Sequence, residues 1–262
     1  NPADFIPQLV IWSTFYIFAT CALVPLFIIT VVVQGLRTSA TLLSLQLSFI
    51  LASGAASALI WTGHARDLNP PFELCLINAS AIMSNIPLNG GAALSLVVNV
   101  WGAAMIIWHP RVRPVMQWIT WTPILILFPW IFSLPLFIAG IVVGLQDRTK
   151  VFRGSPFYCV LDDSLQTISA ALGAVLALTT LILATWTSIN LFINRRRVGS
   201  SRFSENSNIS YTFTSRVIVF SIFVGAAFVA GIVALSSSFD AVIPDIIVAS
   251  LGVAVFFIFA SA

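Results

Sequence analysis

The chain has 262 residues, of which 59% are hydrophobic and only 8% charged, and its mean hydropathy is +1.02. A soluble domain carries roughly 25% charged residues, so this chain has too little charge to cover a water-facing surface; a soluble enzyme, a disordered chain and a nucleic-acid binder are excluded. The net charge of +3 comes from loop arginines rather than a basic face, and the composition is that of a polytopic protein whose first partner is the lipid bilayer.

A helix needs about 20 apolar residues to cross a bilayer. Seven segments qualify, near 9–33, 39–62, 74–108, 115–144, 164–193, 214–236 and 241–260. Backbone groups in lipid must bond within their own segment, so each reads as a helix. The runs are too long and too uniform for a barrel, whose strands alternate over about 10 residues. The expected fold is all-α, a single seven-transmembrane helix bundle over residues 1–262.

The first span has no basic region and small-residue cleavage site before it, and so reads as a span and not a signal peptide. Both chain ends read as trimmed, since residue 1 is Asn and the chain stops just after the last span. Cys21 lies within the first span as a packing residue. Gly54 and Ala58 in the second span, like Ala227 and Gly231 in the sixth, have the four-residue spacing that suits close helix packing.

The third span is the longest and contains Pro87-Leu88-Asn89-Gly90-Gly91. It reads as one long, tilted helix kinked at Pro87, or as a helix broken at mid-membrane, as in some transporters. Asn78, Asn85, Asn89 and Asn99 share one helical face with Ile82, Ala92 and Leu96. Asn is costly against lipid, so that face looks inward. Asn78 and Asn85, with Ser80, Met83 and Ser84 nearby, are candidates to line a ligand cavity; interhelical hydrogen bonding is the other reading, and the one preferred for Asn99. The stripe is neutral, which disfavours a charged amine held by a buried carboxylate.

The fourth span carries Pro123, Pro129 and Pro135, each a kink site. The fifth opens with Ser164, Gln166, Thr167 and Ser169, which either face the same cavity or form a polar helix start. Asp240 and Asp245 flank the start of the seventh span, as charge at the cavity mouth or as part of a solvated loop.

Cytoplasmic loops collect Lys and Arg. The first, third and fifth connections hold Arg37, Arg111, Arg113, Arg195, Arg196, Arg197, Arg202 and, at its edge, Arg216; the other three hold Arg66, Arg148, Lys150 and Arg153. The odd connections are then cytoplasmic and the N-terminus is outside. The loop between the fifth and sixth spans is read as a positive surface for a cytoplasmic partner or anionic lipid, as a phosphorylatable stretch, or as topogenic charge alone. In this orientation Cys75 and Cys159 both lie on the outer, oxidising side. A disulfide there would tie an outer loop to the top of the third helix; two buried thiols are the alternative.

No Asp, Glu, Lys, Arg or His stands in the middle of a span, which argues against a proton pump or proton-coupled transporter. Lys150, the only lysine, lies in a loop, so a retinal Schiff base is excluded. His64 and His109 fall at opposite membrane faces and cannot share a zinc site. No Ser–His–Asp constellation can be assembled, so no enzyme activity, metal or cofactor is expected.

The pattern resembles a G-protein-coupled receptor: a long third helix opening at Cys75, Trp118 and Trp121 before the prolines of the fourth span, and a basic loop between the fifth and sixth. Its texture is similar to the orphan seven-helix receptors of mushroom-forming fungi, notably in Pro70-Pro71-Phe72-Glu73-Leu74-Cys75-Leu76 and in Phe256-Phe257-Ile258-Phe259-Ala260. It departs from rhodopsin-like receptors. Asn99-Val100-Trp101-Gly102 stands where an acidic-Arg-aromatic triplet belongs, the sixth span lacks Cys-Trp-x-Pro, and the seventh lacks Asn-Pro-x-x-Tyr. The resemblance implies a plasma-membrane, multi-pass receptor with a Cys75–Cys159 disulfide. It implies an unknown extracellular ligand near Asn78, Met83, Ser84, Asn85, Gln166 and Ser169. It also implies a heterotrimeric G protein at Arg111, Arg113, Arg195, Arg196, Arg197 and Arg202. The competing expectation is a seven-helix facilitator for a small neutral solute.

Overall fold

The computed structural model describes residues 6–34, 40–65, 67, 70–154, 157–197, 211–236 and 242–260. These residues are almost wholly helical. In chain order they form α1 (Ile6–Ile29, continued by a π-helical turn over Thr30–Gln34), α2 (Ala40–Ala56), α3 (Ala58–Trp61), α4 (Phe72–Trp108), α5 (Arg113–Ile119) and α6 (Thr122–Gln146). Then follow a short ladder of β1 (Val151–Phe152) and β2 (Val160–Leu161), and α7 (Ser164–Arg197), α8 (Tyr211–Ser236) and α9 (Val242–Phe259). The all-α expectation stands, with one two-stranded antiparallel ladder added, pairing Val151 with Leu161 and Phe152 with Val160.

Among the described residues four helical segments are long and apolar enough to cross a membrane: Leu9–Val32, Phe72–Ile106, Thr122–Gln146 and Ser164–Asn190. Ala40–Ala56, Ser215–Ala226 and Asp245–Phe259 are shorter apolar helical stretches.

The bundle is apolar outside and more polar inside, the reverse of a soluble protein. The α4 segment is 61% buried with a mean hydropathy of 1.4, whereas the α6 segment is 22% buried with 2.4. The helix covered by its neighbours is the one that tolerates Asn and Ser; the helix facing outward must be apolar because lipid cannot satisfy polar groups. The outward stripe of α6, Leu127, Ile131, Leu134, Ile138 and Leu145, keeps helical spacing and is exposed throughout. Gln46, Ser80 and Ser95 are buried instead.

The central helix is continuous through Pro87, so the reading of a helix broken at mid-membrane is not what forms. Pro87 forfeits one hydrogen bond, and the flanking turns hold the helix. The expected fourth span is corrected in a different way. The chain breaks at Thr120–Trp121 into α5 and α6, and Pro123 lies in the first turn of α6 rather than at a kink. A proline there has no hydrogen-bond partner to lose. Pro129 and Pro135 do lie inside α6.

Close helix approach falls at other positions than the spacing of small residues predicts. A Cβ added at Gly54 would meet nothing within 4 Å, so Gly54 is not a packing contact. A Cβ at Gly91 would come within 2.9 Å of Pro129 Cα, and one at Gly140 within 2.9 Å of Met83 Cε and Ser80 Oγ. These glycines let α4 and α6 touch backbone to side chain. The side chains of Ala227 and Gly231 lie outside the described part.

The main core gathers Leu23 of α1, Leu45 and Phe49 of α2, Leu96 of α4, Phe220 of α8 and Phe259 of α9. A smaller cluster at the other end of the bundle joins Trp12, Ala56, Phe157 and Ala249. The start of α1, the end of α2 and the start of α9 therefore meet at one end, as antiparallel packing requires.

Candidate functional site

The connection between α6 and α7 folds over that smaller cluster as a lid. A loop leaves backbone groups unpaired, and near lipid each must find a partner. Here they find several. Cys159 is disulfide-bonded to Cys75 at the start of α4, with Cα atoms 5.4 Å apart. Two buried free thiols are thereby ruled out as the reading of this pair. Asn78, one helical turn on, accepts the Cys159 backbone N–H at 2.9 Å and donates to the Ala55 carbonyl at 2.7 Å. Arg153 donates to the Ala65 carbonyl at 2.6 Å and also to the Asp67 carbonyl. Burial lowers the pKa of the Arg153 guanidinium from its ordinary value.

The lid's base is closed by Lys150, whose ammonium donates to Asp163 Oδ2 at 2.7 Å. That bond, with the Leu165 N–H and the Ser164 hydroxyl, holds the Asp163 carboxyl below the usual carboxylate range, and it raises the Lys150 ammonium in turn. Asp147 is likewise held low by the Thr149 hydroxyl and backbone N–H.

Beneath the lid lies a cavity of about 360 Å³ between α1, α2, α4, α7, α8 and α9. Ligand pockets run from about 300 to 1,000 Å³. Small residues open it, among them Ala52, Ala56, Gly90, Ala93 and Gly173. Its walls are mostly apolar. The polar groups that reach it are Ser53, Asn85, Asn89, Tyr16, Tyr158 and Asp245. Tyr158 of the lid donates its phenol to Asp245, 3.1 Å from each carboxylate oxygen. Trp12 stacks on Phe157 of the lid, with centroids 4.9 Å apart and planes 9° apart.

Of the residues expected around a ligand, Asn85 lines this cavity. Asn78 is taken up by the lid and α2. Met83 is buried, its carbonyl accepting the Ser169 hydroxyl of α7 at 2.5 Å. Ser84 bonds back to the Ala81 carbonyl within its own helix, and Gln166 is exposed. This face of α4 turns inward, but its turns at Asn78 and Met83 bond to α2, the lid and α7. Asn99 donates to Thr41 Oγ1 at 3.1 Å, an interhelical role as expected.

Arg111 and Arg113 follow the C-terminus of α4 and are exposed, and Arg195, Arg196 and Arg197 form the last turn of α7. Arg202 lies outside the described residues, as does Asp240. At 1.5 Å per residue, α7 carries its arginines roughly 45–50 Å from the lid.

Sequence reasoning missed Trp12, Tyr16 and Tyr158. The first two are an aromatic pair at four-residue spacing on one face of α1, and Tyr158 stands next to a lid cysteine; those are the signals available. No protein-family model matches the chain, and comparison with curated proteins finds no match. The class therefore rests on architecture: this is a helical membrane protein with one disulfide.

Proposed function

We propose that the chain is a seven-helix transmembrane receptor of the G-protein-coupled type. It lies in the plasma membrane with its N-terminus and lid outside. It senses an extracellular ligand in the lidded cavity and couples to a heterotrimeric G protein at the arginine-bearing ends of α4 and α7. The observation that carries this reading is the separation of two features along the same helices. A cavity lies under a disulfide-tied loop at one end, and the basic turns lie at the other. A ligand that favours one arrangement of α7, α8 and α9 over another would shift the population seen at the basic end.

The facilitator reading drew on a break in the third helix, and α4 runs unbroken.

The test is guanine-nucleotide exchange on purified Gα subunits by the protein in nanodiscs. Exchange that rises with receptor density, and falls when Arg195, Arg196 and Arg197 are changed together to Ala, is the expected result. Absence of exchange with several Gα subunits, alongside solute uptake into proteoliposomes, would put the facilitator in its place.

A further inference from the structure

Among the described residues Asp245 is the one acidic side chain in the cavity wall, and no described Lys or Arg lines the cavity with it. Its carboxylate has about four acceptor positions. Among the described residues only the single phenol proton of Tyr158 meets them. A carboxylate in an apolar wall calls for a counter-charge; among the described residues no cationic side chain lines the cavity, and the first turn of α9, in which Asp245 stands, offers only the partial charge of a helix start. Beside it three aromatic rings cluster. Trp12 lies 4.7 Å from Tyr16 and 6.2 Å from Tyr158, centroid to centroid, and all three rings line the cavity. Aromatic rings next to a carboxylate are the surroundings in which organic cations are held. Further along the wall, Asn89 Oδ1 is buried with no hydrogen-bond partner among the described residues, four residues from Asn85 on the same face of α4. The wall thus has an anionic, aromatic pole and a second, amide pole with an unused acceptor.

We propose that the cavity binds a small organic ammonium ion, with the cationic nitrogen at Asp245 among Trp12, Tyr16 and Tyr158 and the apolar body reaching toward Asn85 and Asn89. This rests on the reading of the cavity as the ligand site. It reverses the expectation that a charged amine held by a buried carboxylate is disfavoured, which considered the third helix alone; the acid comes instead from the last helix.

The test uses the whole chain in nanodiscs, with empty nanodiscs as the blank. Three probes are titrated by ligand-observed NMR: 2-phenylethylamine, trimethyl(2-phenylethyl)ammonium and the uncharged 2-phenylethanol. Both cations should bind at least tenfold more tightly than the alcohol. Asp245→Asn should abolish that preference, and Asp245→Glu, which keeps the charge, should retain it. If Asp245→Asn does not fold, the wild-type preference and its retention in Asp245→Glu decide. Equal binding of alcohol and cations, a preference that survives Asp245→Asn, or no binding of either cation at millimolar concentration overturns the proposal. Cation binding without nucleotide exchange would uphold this inference and sink the receptor reading. Exchange without cation binding would do the reverse.

Discussion

The two ends of the bundle are held by different forces. At the main core, Leu45, Phe49, Leu96, Phe220 and Phe259 interlock through apolar contacts, and Asn99–Thr41 adds a side-chain hydrogen bond between α4 and α2. At the lid, a disulfide, the Asn78 clamp, Arg153 and the Tyr158–Asp245 contact hold a connection with little regular structure. Helices satisfy their own backbone, so packing alone suffices to join them. A loop does not, so it must be bonded from outside. The cavity lies where the two regimes meet.

If that contrast is correct, damage to one region should leave the other intact. The largest effect is expected from Phe220→Ala in the main core, roughly 3–5 kcal/mol of stability, read as a lower thermal midpoint in nanodiscs. Amide protection of the lid should persist up to that midpoint. Replacing Cys75 and Cys159 together by Ala removes a crosslink spanning 84 residues and should cost roughly 2–5 kcal/mol. Here hydrogen exchange at 157–161 should accelerate well below the unfolding temperature. Were Phe220→Ala to open the lid as readily as the double cysteine variant, the two regions would be one cooperative unit and the comparison would fail.

Asn78→Ala leaves the Cys159 N–H and the Ala55 carbonyl without their partner, at about 1–3 kcal/mol, and should loosen the lid with the disulfide still formed. Asn99→Ala, an interhelical bond of the ordinary membrane kind, should cost only about 0.6 kcal/mol and leave lid exchange unchanged.

The smallest expected effect is on pH. The Asp163 carboxyl is held low in the folded protein by Lys150, so its contribution is present above the unfolded carboxyl value of about 3.9 and is lost as pH falls through the folded value. The Lys150 ammonium is raised, so its contribution is present below the unfolded value of about 10.4 and is lost as pH rises through the folded one. Protection of the Val151 and Leu161 amides, corrected for intrinsic exchange, should be flat from about pH 5 to 9 and fall on either side. Asp163→Asn should remove both limbs.

Much of the helical layout was legible because it is local. The apolar runs near 9–33, 74–108 and 164–193 anticipate α1, α4 and α7 within a few residues, since hydropathy sums over a single segment. The inward face of α4 was legible for the same reason: Asn at helical spacing cannot face lipid. The break before α6 was not, because a proline that kinks a helix and a proline that starts one look alike until the preceding turn is seen to end at Ile119. Gly54 misled in the same way, since small residues permit close packing but only a neighbouring helix makes use of it.

The sequence by itself determined that this is a helical membrane chain, because too little charge and long apolar runs leave no other way to satisfy the backbone. Only the tertiary structure decided which polar residues hold helices together and which reach the cavity. Asn78 and Asn85 are equivalent in any single-helix projection. One faces the lid backbone and the other the cavity because α2, α7 and the lid meet α4 at different heights. Asp245 and Tyr158 stand 87 residues apart, and no local property pairs them. Their contact follows from the rotation and register of helices, which packing across the bundle sets.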